Sequence, residues 1–135
     1  MSIRAWTFGP DDGVPPPVAP FAHATAAGPT LYVTGQMPTG LDGALVAGTI
    51  AEQTEQVMRN LARVLELVGG GLQDVVAVRA YLTDWDDYAA FNAAYEPWFA
   101  GRLPSRTCTG ASGLAAGARV EIDLVAWRAD GWPAE

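Results

Sequence analysis

Apolar residues recur along the chain with two different periods, and these periods predict where helices and strands lie. From residue 50 onward, apolar residues follow one another at steps of three or four, which is the spacing of one helix face. Thr49 and Glu52 have the spacing of a capping box at the start of this helix, and the glycines at 69–71 end it. The apolar face consists of Ile50, Val57, Met58, Leu61, Leu65 and Val68.

A second helix is predicted where aromatic residues share a helical stripe. Asp84 and Asp87 are suited to its start, and Pro97 should end or kink it near its last turn. The stripe consists of Trp85, Tyr88, Phe91, Tyr95 and Trp98.

The first strands are short. The ranges 21–25 and 30–36 are predicted strands, separated by the turn signal Gly28-Pro29. Asp42-Gly43 then marks a small hairpin.

The later strands are longer and differ in their pattern. The range 75–82 is apolar on both faces apart from Arg79, which is typical of a covered central strand. The ranges 106–111 and 119–128 complete the sheet, joined by the small-residue loop 113–117.

The predicted fold class is α+β, with a mixed β-sheet and two helices packed on one face. The 135 residues are enough for one domain, 1–135, in which residues 9–20 hold five of the ten prolines and form an irregular, exposed lead-in. In the last strand, Trp127 shares the face of Glu121 and Asp123. That placement suits either a contact with another subunit or a lone exposed tryptophan.

Composition narrows the functional classes. Half of the residues are apolar, so the chain is globular, but no apolar run approaches the roughly 20 residues of a membrane span. No secretory signal is visible and there is one cysteine, which together favour a cytoplasmic location. The net charge of −7 disfavours nucleic acid and anionic lipid as partners. Without lysine, the chain cannot use lysine Schiff-base chemistry.

The candidate chemistry lies near the C-terminus. Arg106 stands at the head of a short strand, just after Pro104, and Glu121 stands on the next strand. The planar, permanently charged guanidinium suits a small carboxylate, and a glutamate beside it can hold a water molecule. These residues predict a pocket for a small organic acid and a nucleophilic water, with no metal or cofactor required.

Four stretches in the same order resemble the reactive intermediate deaminase family, also called Rid or YjgF-like. They are Leu31-Tyr32-Val33-Thr34-Gly35-Gln36-Met37-Pro38, Gln53-Thr54-Glu55-Gln56-Val57-Met58-Arg59-Asn60-Leu61, Phe91-Asn92-Ala93-Ala94-Tyr95-Glu96-Pro97-Trp98-Phe99, and Pro104-Ser105-Arg106-Thr107-Cys108 followed by Val120-Glu121-Ile122-Asp123-Leu124-Val125-Ala126. The resemblance implies a chorismate-mutase-like fold, a homotrimer with clefts between subunits, and hydrolysis of 2-enamine or 2-imino acids to 2-oxo acids and ammonium.

The resemblance also implies roles for single residues. Arg106 would clamp the substrate carboxylate and Glu121 would hold the attacking water, although an arginine in a surface ion pair and a solvated strand glutamate are the ordinary alternatives. Backbone groups at Thr34-Gly35 and at Cys108 would line the pocket, and Asn92 would reach it. For the Cys108 thiol itself we expect a buried and inert group, because nothing marks a nearby base.

The chain departs from the family at Phe21, where members with deaminase activity usually carry tyrosine. The ring could still form a wall of the cleft, but one hydrogen bond to water or substrate is lost. His23 could supply a polar group from the same strand face, or could be partly buried and bonded to backbone, which we favour.

This departure leaves two other functions open. One is a module that binds a small carboxylate without turnover, and the other is a deaminase of a larger enamine acid. A ribonuclease is disfavoured by the acidic charge, the single histidine and the absence of lysine.

Overall fold

A computed structural model describes residues 3–135 as one six-stranded sheet and two α-helices. The strands are β1 (Ile3–Trp6), β2 (Ala24–Ala27), β3 (Thr30–Gln36), β4 (Val75–Leu82), β5 (Ser105–Gly110) and β6 (Val120–Trp127). The helices are α1 (Ile50–Leu67) and α2 (Tyr88–Tyr95). Between residues 3 and 135, no helix is long and apolar enough to cross a membrane.

The sheet is mixed, with strand order β1-β2-β3-β6-β4-β5. All neighbouring strands are antiparallel except β4 and β5, which are parallel. Parallel neighbours need a crossover connection, and α2 provides it between β4 and β5. The predicted α+β class, with a mixed sheet and two helices, is therefore confirmed.

Helix α1 begins where the capping box predicts. The Thr49 hydroxyl accepts a hydrogen bond from the Glu52 backbone N–H at 3.2 Å, and the Glu52 carboxylate accepts one from the Thr49 N–H at 3.1 Å. The predicted apolar face lies in the core, where Val57, Met58 and Leu61 are fully buried. This face packs against one side of the sheet, so the 3.6-residue period correctly identified the side of α1 that contributes to the core.

The helices cover only one face of the sheet. On β4, Val78 and Ala80 are buried beneath them, whereas Val76 is 41% exposed on the other side. The prediction that this strand is covered on both faces is wrong for the single chain, because residues 3–135 place no second layer over the open face. Tyr32 and Trp127 are also about half exposed there, at 53% and 49%.

The start of the chain differs from its predicted form. The strand predicted at 21–25 begins only at Ala24, so Phe21 and His23 precede it. The lead-in at 9–20 is not exposed throughout, because Val14 is fully buried in the core. Strand β1, which pairs with β2, was not predicted because its four residues show no clear alternation.

Two other elements are shorter than predicted. The hairpin at Asp42-Gly43 amounts to one isolated bridge between Thr39 and Leu45, with Gly43 at a φ of +79°. Helix α2 ends at Tyr95, before Pro97, as a proline inside a helix requires. Of its aromatic stripe, Phe91 and Tyr95 are buried, but Trp85 and Tyr88 lie exposed and stack on each other with ring centroids 4.7 Å apart.

The α1 cap supplies a test of the fold. Thr49→Ala should lower the free energy of unfolding by about 1 kcal/mol, because the Glu52 N–H loses its acceptor at the helix start. Denaturant unfolding followed by circular dichroism measures this change. Thr7→Ala, at an exposed position outside any helix or strand, is the control and should leave stability nearly unchanged. Equal stability of the two variants would contradict the capping role.

Candidate functional site

The structure divides the predicted site residues between two faces of the sheet. Arg106 on β5 is in register with Val78, whose side chain is buried on the helix side. Glu121 on β6 is in register with Tyr81, on the open side, and alternates with the buried Val120 and Ile122. Residues in register point to the same face. Within one chain, therefore, the guanidinium and the carboxylate do not face a common pocket. The prediction that Arg106 and Glu121 lie side by side is thus wrong for the single chain.

Arg106 lies among the aromatic rings of α2. Its guanidinium carbon is 5.8 Å from the ring centroid of Tyr88, 5.2 Å from that of Phe91 and 4.9 Å from that of Tyr95. One of its terminal nitrogens donates to the Tyr88 hydroxyl at 3.2 Å. These distances are within the range of cation–π attraction, which holds the guanidinium in place without neutralising its charge.

No acidic side chain within residues 3–135 forms an ion pair with Arg106. Other arginines are paired, including Arg79 with Asp123 and Arg119 with Asp87. An arginine in a surface ion pair was the ordinary alternative for Arg106, and the geometry does not support it. The guanidinium keeps most of its five N–H donors available for an anion from outside the chain.

A cavity of about 320 Å³ adjoins this guanidinium, and we call it with Arg106 the Arg106 half-site. The cavity is lined by Asn92, Tyr95, Glu96, Leu103, Pro104 and Arg106. The side-chain oxygen of Asn92 and the hydroxyl of Tyr95 are buried, and neither has a hydrogen-bond partner among the described residues. Asn92 therefore lines the same cavity as Arg106, and its role in binding stays a prediction.

Cys108 lies two residues beyond Arg106 on the same face, in register with Ala80. Burial raises the pKa of its thiol, and the nearby Arg106 charge opposes this rise. A thiol with a raised pKa is mostly protonated at neutral pH and is a poor nucleophile. Cys108 is only partly buried, whereas a buried cysteine was expected, and its lack of reactivity stays a prediction.

Glu121 lies against Gly35, and we call these two residues with Thr34 the Glu121 half-site. A Cβ atom built on Gly35 would be 2.4 Å from the Glu121 Oε2 atom. The register of β3 with β6 shifts between Val33 and Gln36, so the strand bulges at this point. Glycine leaves the carboxyl group in its present position, from which a side chain at residue 35 would displace it.

The surroundings of Glu121 favour its neutral form. Burial raises the pKa of its carboxyl group, and the charge of Asp123 raises it further. Asp123 itself is held by Arg79 at 2.8 Å between Nε and Oδ1, so its role is an ion pair on the open face. The aspartate thus keeps a negative charge near Glu121, and the glutamate binds a proton more readily than an isolated one.

Phe21 lies beside a second cavity, of about 210 Å³, which also reaches Gly35. The cavity is largely apolar; its lining residues include Pro15, Val18, Phe21, His23, Gly35 and Met37. The Thr34 hydroxyl donates to the backbone carbonyl of Ala22 and so ties the Phe21 segment to β3.

His23 does not offer a free polar group to this cavity. It is 1% exposed, its Nδ1 accepts a hydrogen bond from the Phe8 N–H at 3.1 Å, and its Nε2 lies 2.9 Å from the Pro15 carbonyl. Both ring nitrogens therefore form hydrogen bonds with backbone groups, with Nδ1 as the acceptor and Nε2 as the donor. His23 is therefore bonded to backbone, which is the alternative that we favoured from the sequence. It also precedes β2, so it does not share a strand face with Phe21.

Side chains that could bind a metal are scattered. Within residues 3–135, no three His, Cys, Asp or Glu side chains are grouped closely enough to hold a metal ion.

The sheet with its two helices and two separated half-sites defines a small α+β protein with a candidate anion site, and comparison with known proteins gives its family. The chain belongs to the family described as Endoribonuclease L-PSP, the Rid or YjgF-like family, whose profile matches residues 13–128.

Two relatives whose names state an enzymatic activity are similar to this chain over most of their length. The chain is 36% identical to 3-aminoacrylate deaminase RutC of Acinetobacter baylyi over 116 residues, covering 85% of this chain and 92% of the relative. It is 34% identical to 2-iminobutanoate/2-iminopropanoate deaminase of Mus musculus over 115 residues, covering 83% and 84%. The crystal structure of yeast Mmf1 matches with a TM-score of 0.88 at 29% identity, covering 94% of this chain and 99% of the other.

Sequence reasoning did not assign Tyr88 and Tyr95 to the site. Both were placed in a helix stripe, where aromatic residues usually pack in the core. The polar Asn92 within that stripe was the available signal, because an amide among aromatic residues indicates that one part of this face borders something other than core.

The contact between Gly35 and Glu121 supplies a second test. Gly35→Ala should destabilise the protein by roughly 1–3 kcal/mol, because the new methyl group displaces the carboxyl group or the strand. Gly110→Ala, also in a strand and with no closer atom than 4.0 Å, is the matched control. In the double variant Gly35→Ala/Glu121→Ala much of the loss should be recovered, as measured by denaturant unfolding. Additive losses would argue against this contact.

Proposed function

We propose that the protein hydrolyses 2-enamine and 2-imino acids of the 2-aminoacrylate and 2-aminocrotonate type to 2-oxo acids and ammonium, in the cytoplasm and without a cofactor. The main support is Arg106, a guanidinium held by aromatic rings beside a cavity and left without an acidic partner in residues 3–135. Such a group suits a small carboxylate. The deaminase names of the bacterial and mouse relatives point in the same direction.

In the proposed reaction the protein binds the substrate, activates a water molecule and transfers a proton. Arg106 would hold the substrate carboxylate by two parallel hydrogen bonds, which fixes the position of the neighbouring C=N carbon. Glu121, as a carboxylate, would orient a water molecule and accept one of its protons as the oxygen bonds to that carbon. Return of that proton to the nitrogen, together with loss of the remaining hydroxyl proton, breaks the C–N bond and forms the C=O group, so that one water is consumed and the nitrogen leaves as ammonium. An enamine enters this sequence as the protonated imine, which forms when C3 gains a proton.

The two half-sites have to come from different copies of the chain, because they lie on opposite faces of one sheet. We propose a homotrimer in which the open sheet face is covered and each cleft joins the Arg106 half-site of one subunit to the Glu121 half-site of the next. The exposed aromatic residues Tyr32 and Trp127 on the open face suit such a contact. Closed rings of this kind form from one repeated, non-symmetric contact.

The apolar cavity beside Phe21 favours a second candidate within the same class, a deaminase of larger enamine acids. Its volume of about 210 Å³ would accommodate an apolar substrate side chain next to Gly35. Loss of the tyrosine hydroxyl at Phe21 makes this wall more apolar. A binding module without turnover is the third candidate, favoured by the same loss.

The proposal is tested with substrates made in place. A dehydratase generates 2-aminoacrylate or 2-aminocrotonate, an amino-acid oxidase generates larger imino acids, and formation of the 2-oxo acid is followed with time. Wild type should accelerate hydrolysis, while Arg106→Ala and Glu121→Gln should each lose at least about 100-fold in kcat/KM. Faster turnover of the larger acids would select the second candidate. No acceleration with any substrate would leave only the binding module.

Mixing the two inactive variants tests the division between copies. Every mixed trimer has one cleft that combines an intact Arg106 with an intact Glu121, so equal amounts unfolded and refolded together should recover about one quarter of the wild-type rate. Refolding each variant alone is the control and should recover none. Absence of recovery, with mixed trimers verified by mass spectrometry, would show that both residues act within one subunit.

The raised pKa of Glu121 predicts the acid side of the pH profile. The carboxylate form is needed to accept a proton, and this form is lost as pH falls through the glutamate pKa, which lies above its ordinary value. kcat/KM should therefore decline at a higher pH than for an exposed glutamate. The residual activity of Glu121→Gln should lack this decline. Both rates are measured on a slow substrate across about pH 4 to 8, a range that includes the titration of glutamate. An identical acid limb in both proteins would contradict the assignment.

A further inference from the structure

Tyr95 presents a hydroxyl group that the folded chain leaves without a partner. The residue is 5% exposed, lines the cavity beside Arg106, and its hydroxyl makes no hydrogen bond with any of residues 3–135. Asn92 lies one helical turn earlier and lines the same cavity. Its side-chain oxygen is also buried without a hydrogen-bond partner among residues 3–135. No other buried side-chain polar atom in the described chain lacks a partner.

Leaving such groups unsatisfied is unfavourable for folding. A hydroxyl buried without a hydrogen bond loses its interaction with water and gains nothing in return. Native proteins therefore contain few of them, and each calls for an explanation. Phenylalanine would fill the same space between Phe91 and Phe99 without this loss, since Tyr95 already packs its ring against both.

The neighbours of Tyr95 determine what kind of group could satisfy the hydroxyl. Burial raises the pKa of Tyr95, an effect that the nearby Arg106 charge opposes, so the hydroxyl keeps its proton at neutral pH and can donate. The guanidinium of Arg106 lies over the Tyr95 ring, 4.9 Å from its centroid, and is itself only a donor. Two donors beside one cavity are satisfied together by an acceptor, and an anion with several lone pairs suits both.

We infer that Tyr95 is a further carboxylate-binding residue, whose hydroxyl donates a hydrogen bond to the same ligand carboxylate that Arg106 clamps. The inference rests on the proposed function in that the carboxylate is taken to be that of the substrate or of the 2-oxo acid product. Tyr95 then fixes the rotation of the carboxylate, which a guanidinium alone holds in one plane only.

The test separates binding from stability with one substitution. Tyr95→Phe removes the hydroxyl and keeps the ring under Arg106. Titration calorimetry with 2-oxobutanoate, the stable product type, should show affinity weakened by about fivefold to tenfold, the usual effect of one lost hydrogen bond. The thermal midpoint of the ligand-free variant should equal or exceed that of wild type, because the lost hydroxyl had no partner.

Thr7→Val is the control, since it removes an exposed hydroxyl group outside any helix or strand and away from the Arg106 cavity. It should leave 2-oxobutanoate affinity unchanged, with the oligomeric state of both variants verified by light scattering. Unchanged affinity in Tyr95→Phe would overturn the inference. A lowered thermal midpoint in that variant would also overturn it, because the hydroxyl would then have a structural partner.

Failure of the proposed function gives a different result. If wild type binds 2-oxobutanoate but hydrolyses no imino acid, and Tyr95→Phe weakens that binding, the deaminase proposal falls while the role of Tyr95 stands. If wild type shows no saturable binding of 2-oxobutanoate or of 2-aminobutanoate, the inference itself is wrong, because it requires the cavity to hold a small carboxylate.

Discussion

The alternation of side chains along β-strands is the constraint on which the rest of the structure depends. Successive residues point to opposite faces of a sheet, so the register of β5 with β4 places Arg106 on the helix side, and the register of β6 with β4 places Glu121 on the open side. The backbone hydrogen bonds of β4 with both neighbours hold this separation. A site that combines both residues, as we propose, would therefore join two copies of the chain.

The electrostatics of the two faces differ accordingly. On the open face, Arg79 is paired with Asp123, and the pKa of Glu121 is raised first by burial and then further by the Asp123 charge. On the helix side, Arg106 is stabilised by aromatic rings, which attract a cation without supplying a counter-charge. Although the chain has fifteen acidic residues, and Glu96 lines the same cavity, none of the acids among residues 3–135 forms an ion pair with this guanidinium. The arrangement suits a ligand that brings its own negative charge.

Phe21, where the sequence departs from the family pattern, lies in the structure at the wall of a cavity. Its ring lies at an apolar cavity that ends at Gly35, next to the Glu121 carboxyl group, while His23 is fully occupied by backbone groups and does not replace the missing hydroxyl. The substitution therefore alters the wall near Glu121 and leaves the Arg106 cavity untouched. Substrate size and the position of water are the properties it would affect.

The sequence by itself determined the long-range order of elements and the family. Helix α1, strands β3 and β4 and the approximate bounds of β5 and β6 follow from local periodicity, capping and turn residues, because each of these signals acts within a few neighbouring residues. Arg106, Glu121, Gly35 and Asn92 were singled out from motifs alone. Only the tertiary structure decided which of them share a cavity, since strand register and the packing of α2 over β5 depend on contacts between residues far apart in the chain. For the same reason the unpartnered hydroxyl of Tyr95, the backbone partners of His23 and the burial of Val14 could not be predicted from sequence.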